Sequence, residues 1–173
     1  MVKGDKPNKT TTKHTANKKG LAFEKMIIDR LNKYSKEDKA YGIKIPNEWI
    51  IKRYGMKISS ASPKSKAFLD FIIFLPQGKA MVLEAKSTAN KTSFGLDYIK
   101  PHQYTMAVEI GKYCKDVYYI ILFRELARVF LVKARYVEKF RQTETRKSIP
   151  LKWFEENSVE LDVNTLDFLE ALY

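Results

Sequence analysis

Two apolar runs, Phe68-Leu69-Asp70-Phe71-Ile72-Ile73 and Val82-Leu83-Glu84-Ala85-Lys86, flank the short turn Pro76-Gln77-Gly78, and charge interrupts both. Runs of this length and composition bounded by turn residues fold as strands. Val or Ile at positions 70, 84 and 86 would make such strands more stable, because burying an unpaired charge costs several kcal/mol. Something must reward the acids, and a metal ion is the simplest candidate.

The turn fixes the register. A three-residue hairpin loop with Gly in the left-handed position pairs Leu75 with Lys79. Counting back sets Asp70 opposite Glu84, with Cβ atoms about 4.5 to 5.5 Å apart on one face of the sheet. Lys86 shares that face two residues on. Facing like charges destabilise a strand pair, whereas two carboxylates at this separation can share a hard divalent cation that keeps several waters. The lysine beside them can orient or polarise such a water.

The chain has 173 residues, of which 45% are hydrophobic and 13% aromatic, enough for one domain with a real core. No apolar run approaches the roughly 18 residues of a membrane span, and the N-terminus lacks a signal-peptide pattern, so a soluble, cytoplasmic protein is expected. The formal net charge is +12. It is concentrated ahead of Trp153, because beyond that residue stand Glu155, Glu156, Glu160, Asp162, Asp167 and Glu170 with no Lys or Arg. Charge of this size implies a polyanionic partner, and nucleic acid outranks membrane because no basic amphipathic anchor helix is evident.

Along the chain, residues 1–16 hold Lys3, Lys6, Lys9 and Lys13 without apolar periodicity and read as a flexible basic arm. Residues 17–173 read as a single domain. Phe23, Ile27, Leu31 and Tyr34 predict a helix from Lys18 to about Ser35. Glu24 falls on its packed face. Two readings stand for this acid: a helix-start glutamate interacting with the dipole, or a third group at the carboxylate site. Trp49-Ile50-Ile51 reads as a strand, and Tyr54 to Lys66, which includes Lys57, Lys64 and Lys66, as an exposed basic excursion. After the hairpin come a loop over Ser87 to Phe94, a helix from Pro101 to about Tyr113, strands at Val117 to Phe123 and Arg128 to Val132, and a helix from Arg135 to Gln142. An acidic C-terminal segment carries Leu166, Phe168, Leu169 and Leu172 as its apolar side. These elements predict an α/β fold, an α+β mixed sheet flanked by helices.

Glu24, Asp70 and Glu84-Ala85-Lys86, in that order on helix, strand and strand, resemble the PD-(D/E)xK nuclease superfamily. Further matches narrow the resemblance to RecU-type Holliday junction resolvases: Asn17-Lys18-Lys19-Gly20, Phe23-Glu24, Leu69-Asp70-Phe71, Glu84-Ala85-Lys86-Ser87-Thr88, Asn90-Lys91-Thr92-Ser93-Phe94, Pro101-His102-Gln103 and Arg146-Lys147-Ser148-Ile149-Pro150. The resemblance implies a restriction-endonuclease-like core and a homodimeric, metal-dependent endonuclease, bacterial or phage-encoded, that cuts opposed strands of a four-way DNA junction. By position it implies Asp70 and Glu84 as ligands of Mg²⁺, with Mn²⁺ as an alternative, and Lys86 as the catalytic lysine. Glu24 and Gln103 match residues that complete the site. Lys18, Lys19, Lys57, Lys64, Lys66, Lys91, Thr92 and Ser93 are the candidate DNA contacts. Two departures stand out: the stalk-like excursion of residues 54–66 is shorter than in the family, and Leu69 occupies the place of the superfamily's proline.

Other residues receive plainer readings. Cys114, the single cysteine, forms no internal disulfide and reads as a structural thiol. His14 and His102 are too few for a zinc site. Tyr118, Tyr119, Phe123 and Phe130 read as core. The competing functions are a restriction-like or repair nuclease acting on duplex or flap DNA, and a non-catalytic DNA-binding accessory module.

Overall fold

The computed structural model describes residues 9–46, 49–63 and 69–172. Helix α1 spans Lys9–Lys36, strand β1 Tyr41–Lys44, β2 Trp49–Tyr54, β3 Lys57–Pro63, β4 Phe71–Leu75 and β5 Lys79–Thr88. There follow β6 at Ser93–Gly95, α2 at Pro101–Gly111, β7 at Asp116–Phe123, β8 at Arg128–Lys133, α3 at Ala134–Thr143, β9 at Ser148–Pro150, α4 at Leu151–Asn157 and β10 at Val159–Leu161. Six strands form one sheet in the order β1-β4-β5-β7-β8-β10. Only β5 and β7 run parallel; the other neighbours are antiparallel. The helix α2 is the crossover that a parallel pair requires. The expected mixed sheet flanked by helices is therefore present.

Alternation along β5 divides the core into two layers. Met81 and Leu83 pack with Phe23, Ile27, Leu31 and Tyr34 of α1. Val82 packs with Tyr104 and Ala107 of α2, Val137 and Phe140 of α3, and Phe154 of α4. Tyr118, Tyr119, Phe123 and Phe130 are buried, as their apolar context requires. Glu84 follows the parity of Val82 and so points to the α2 layer.

The expected pairing of Leu75 with Lys79 is observed, followed by Phe71 opposite Leu83, which sets Asp70 and Glu84 next in line. Both Gln77 and Gly78 of the turn are left-handed, with φ 63 and 70. Glycine takes this region without strain, and Gln77 shares it because Pro76 fixes the first residue of the tight turn.

Several boundaries differ from expectation. The arm expected over residues 1–16 is helical from Lys9 onward, ahead of the expected start at Lys18. No Pro or Gly lies between Asn8 and Gly20, so a helix anchored by Phe23, Ile27 and Leu31 propagates backward at one hydrogen bond per residue. The excursion is largely an antiparallel hairpin, β2 with β3, forming a two-stranded sheet of its own. Its turn places Gly55 at φ 59, suited to the first central residue of a two-residue hairpin turn. Tyr54 is 87% and Met56 101% exposed there. Lys64, Lys66 and Phe68 lie outside the described residues. The C-terminal segment buries Leu166, Phe168 and Leu169 against α1 through successive turns, and Leu166 takes φ 47. Among the described residues no helix is long and apolar enough to cross a membrane.

Candidate active site

The site begins at the hairpin. Asp70 stands where β4 begins, and its Oδ2 accepts the main-chain N–H of Ala85 at 2.9 Å. That bond ties the first carboxylate to the strand that carries the second. Ile45 N–H donates to the Asp70 carbonyl at 2.8 Å, so β1 holds the same residue from its other side. Glu84 is 0% exposed. Its Oε1 accepts from both Lys86 Nζ and Gln103 Nε2. Its Oε2 is buried without a hydrogen-bond partner. Gln103 is fixed in turn, because its Oε1 accepts the Lys100 N–H at 2.9 Å. Pro101 opens α2, supplying the preset backbone angle of a first helical residue, and Gln103 follows in the first turn.

Burial dominates the electrostatics. It raises the Asp70 pKa above the ordinary carboxylate value; the Ala85 N–H and the Lys86 charge oppose the rise, and the Glu24 charge adds to it. Burial pushes Glu84 up to about 7, opposed by Lys86 and reinforced by Asp70. Asp70 thus disfavours the ionisation of Glu84, and a cation between the two carboxylates would favour the charged form of each.

Glu24 lies on α1, partly buried, and its Oε2 is bound by Lys44 Nζ from the end of β1. Of the residues singled out in the sequence, Asp70, Glu84, Lys86 and Gln103 are joined by direct bonds or pairing. Glu24 joins them through its charge on Asp70. Among the described residues no three His, Cys, Asp or Glu side chains form a set that could hold a metal ion. The available donors are the two hairpin carboxylates. Their hard oxygens, one of them orphaned in a buried place, fit a divalent ion that keeps several waters.

Sequence reasoning passed over Lys44. Its strand is four residues long and half-exposed, so periodicity gives it no weight. The available signal was Gly42, where an added Cβ would meet the Leu31 side chain at 2.6 Å. A glycine required for close approach to α1 marks the strand that reaches Glu24.

The loop after β5 is ordered by Asn90. Its Oδ1 accepts from Thr92 N–H at 2.9 Å, Thr92 Oγ1 at 3.0 Å and Ser93 N–H at 3.3 Å. Lys91 and Thr92 are exposed and Ser93 is half-buried. β6 pairs with β9, setting Phe94 opposite Ile149, so the motifs Asn90 to Phe94 and Arg146 to Pro150 meet in space. Lys57 is exposed on the hairpin, in a separate sheet. The side chains of Lys18 and Lys19 lie outside the described ones.

The chain is similar to known proteins along most of its length. Residues 18–173 match the family model described as Recombination protein U. A protein named Holliday junction resolvase RecU from Ureaplasma parvum serovar 3 is 28% identical over 144 residues, covering 83% of this chain and 84% of that one. The protein of the same name from Listeria innocua serovar 6a is 28% identical over 176 residues, covering 95% of this chain and 87% of that one. Among solved structures, Archaeoglobus fulgidus Hjc, described as a Holliday junction resolvase, aligns with a TM-score of 0.48 and 12% identity over 85% of this chain and 95% of that one. With its family model matched across all but the first 17 residues, the chain belongs to the Recombination protein U family.

Proposed function

We propose that this protein is a divalent-metal-dependent endodeoxyribonuclease that resolves four-way DNA junctions in the cytoplasm, acting as a homodimer. The observation that carries the proposal is the joined set of Asp70, Glu84, Lys86 and Gln103, with Glu84 Oε2 buried and unpartnered. Relatives named Holliday junction resolvase supply the substrate. The +12 charge suits it.

Asp70 and Glu84 would hold the ion, Mg²⁺ or Mn²⁺. When bound, such an ion acidifies a water and neutralises a phosphate oxygen. Gln103 keeps Glu84 in one orientation by donating to Oε1. Lys86, anchored on the same oxygen, brings a positive charge to the phosphate and offsets the negative charge that develops in the transition state. The Ala85 N–H keeps Asp70 aligned with its partner strand. A junction is two-fold symmetric and resolution needs two cuts, so two copies of one site related by a two-fold axis meet the requirement.

The test is cleavage of labelled four-way junction, duplex, flap and single-stranded DNA with Mg²⁺ or with EDTA. Cutting of two opposed strands of the junction, dependent on metal, supports the proposal. Equal cutting of duplex points to the restriction-like reading, and binding without cutting to an accessory module.

A further inference from the structure

Glu24 acts on Asp70 of the hairpin pair through its charge, and each of the three acids has its own partner. Lys86 binds Glu84, the Ala85 N–H binds Asp70, and Lys44 binds Glu24. The first two partners belong to the hairpin itself. Lys44 comes from a different strand, and the fold goes to some length to bring it there. Gly42 leaves the Leu31 side chain room against β1. Two residues further along β1, and two turns back along α1, the same packing sets Lys44 against Glu24. The Ile45 N–H then bonds the Asp70 carbonyl, so the lysine's own backbone neighbour is tied to the central acid. Its charge reaches that acid as well: at Asp70, where burial is the largest influence, Lys44 favours the ionised form and Glu24 opposes it.

An ammonium in this position does what a divalent ion would do, namely neutralise Glu24 and Asp70. Two cations cannot share the space without repulsion. We propose that Lys44 is the resident counter-ion of Glu24, and that a divalent ion held by Asp70 and Glu84 would displace it through its water shell, so that Lys44 sets how tightly the site takes metal. The inference rests on the metal-dependent reading above and adds a residue, and a sign, to it. An ion pair that merely braced β1 against α1 would, when broken, leave metal affinity unchanged or lower it. A displaced counter-ion, when removed, must raise it.

The experiment is calorimetric titration of Mn²⁺ into the full chain at pH 8 without DNA. Lys44→Met keeps the length of the side chain and removes its charge; the expected result is a Kd lowered about tenfold, the size of a unit charge acting on a nearby double charge in a water-like medium. Lys44→Arg keeps the charge and is expected to bind as the wild type does. A folded Lys44→Met that binds Mn²⁺ with unchanged or weaker affinity would overturn the inference alone. Wild type that binds no Mn²⁺ would overturn the metal reading and this inference with it. A second measurement needs no variant: acylation of Lys44 by an amine-reactive ester, followed by mass spectrometry, is expected to quicken when Mn²⁺ saturates the wild type. Lys25, paired with Asp29 on the surface, serves as the control. Acylation of Lys44 that Mn²⁺ leaves unchanged contradicts the displacement.

Discussion

Asp70 Oδ2 accepts the main-chain N–H of Ala85 at 2.9 Å, across the hairpin and one residue beyond Glu84. The bond separates two roles of one carboxylate, since an asparagine can keep the acceptor while losing the charge. We expect Asp70→Asn to denature in urea at or above the wild-type midpoint, because burial already disfavours the ionised form. Asp70→Ala leaves the Ala85 N–H without its acceptor and should lose about 1–3 kcal/mol. Both should lose junction cleavage by at least about a hundredfold.

Glu84 gives the clearest pH dependence. Its pKa rises from near 4.5 to about 7 on folding, with burial the main cause. Between those values the folded state holds more protons than the unfolded one, so stability falls as pH rises through that window and levels off above it. Glu84→Gln lacks the titration. At pH 8 and without metal it should be more stable than wild type by roughly 1–3 kcal/mol, the advantage shrinking as pH falls toward 5. Urea titrations at several pH values check this; a difference independent of pH would contradict it.

The far end of α1 offers a contrast. Tyr34 Oη donates to Asp167 Oδ1 at 2.7 Å and accepts the Leu169 N–H at 3.1 Å. Arg30, 8% exposed, reaches the same Asp167 at 3.2 Å and also the Thr165 carbonyl. Tyr34→Phe removes both hydroxyl bonds and should cost about 1–2 kcal/mol. Ten residues of helix, about 15 Å, separate it from Glu24, so cleavage measured well below the melting temperature should not change.

What could be read in advance followed from local rules with few solutions. Pro76-Gln77-Gly78 admitted one tight register, and that register fixed which face Asp70, Glu84 and Lys86 share. Phe23, Ile27 and Leu31 fixed the face of α1, and with it the inward place of Glu24. The misses are elements whose shape is set by distant partners. β1, β6, β9 and β10 have three or four residues each, too few for periodicity to register. The C-terminal segment showed its apolar residues but not its turns, which depend on Asp167 meeting Tyr34 and Arg30 from α1. Lys44 was invisible because a lysine in a half-exposed strand is ordinary until α1 is packed beside it.

The hairpin of β2 and β3 carries Lys52, Arg53 and Lys57 near an exposed tip. If these residues meet phosphates, replacing all three by Gln should lower the slope of log affinity against log salt by about 3, roughly one per lost contact. Junction binding measured over a range of salt concentrations checks this. A line that superimposes on the wild type's would place the hairpin away from DNA.

The central claim is that Asp70, Glu84 and Lys86 form one hydrolytic centre acting on a DNA junction. Its most direct measurement is single-turnover cleavage of a labelled four-way junction in Mg²⁺ by wild type and by Lys86→Met, with junction affinity measured on the same samples in EDTA. We expect affinity to stay near wild type, since many other cations carry it, and the cleavage rate to fall about a hundredfold or more. Cleavage by Lys86→Met at the wild-type rate would contradict the account and move the chemistry to another part of the molecule.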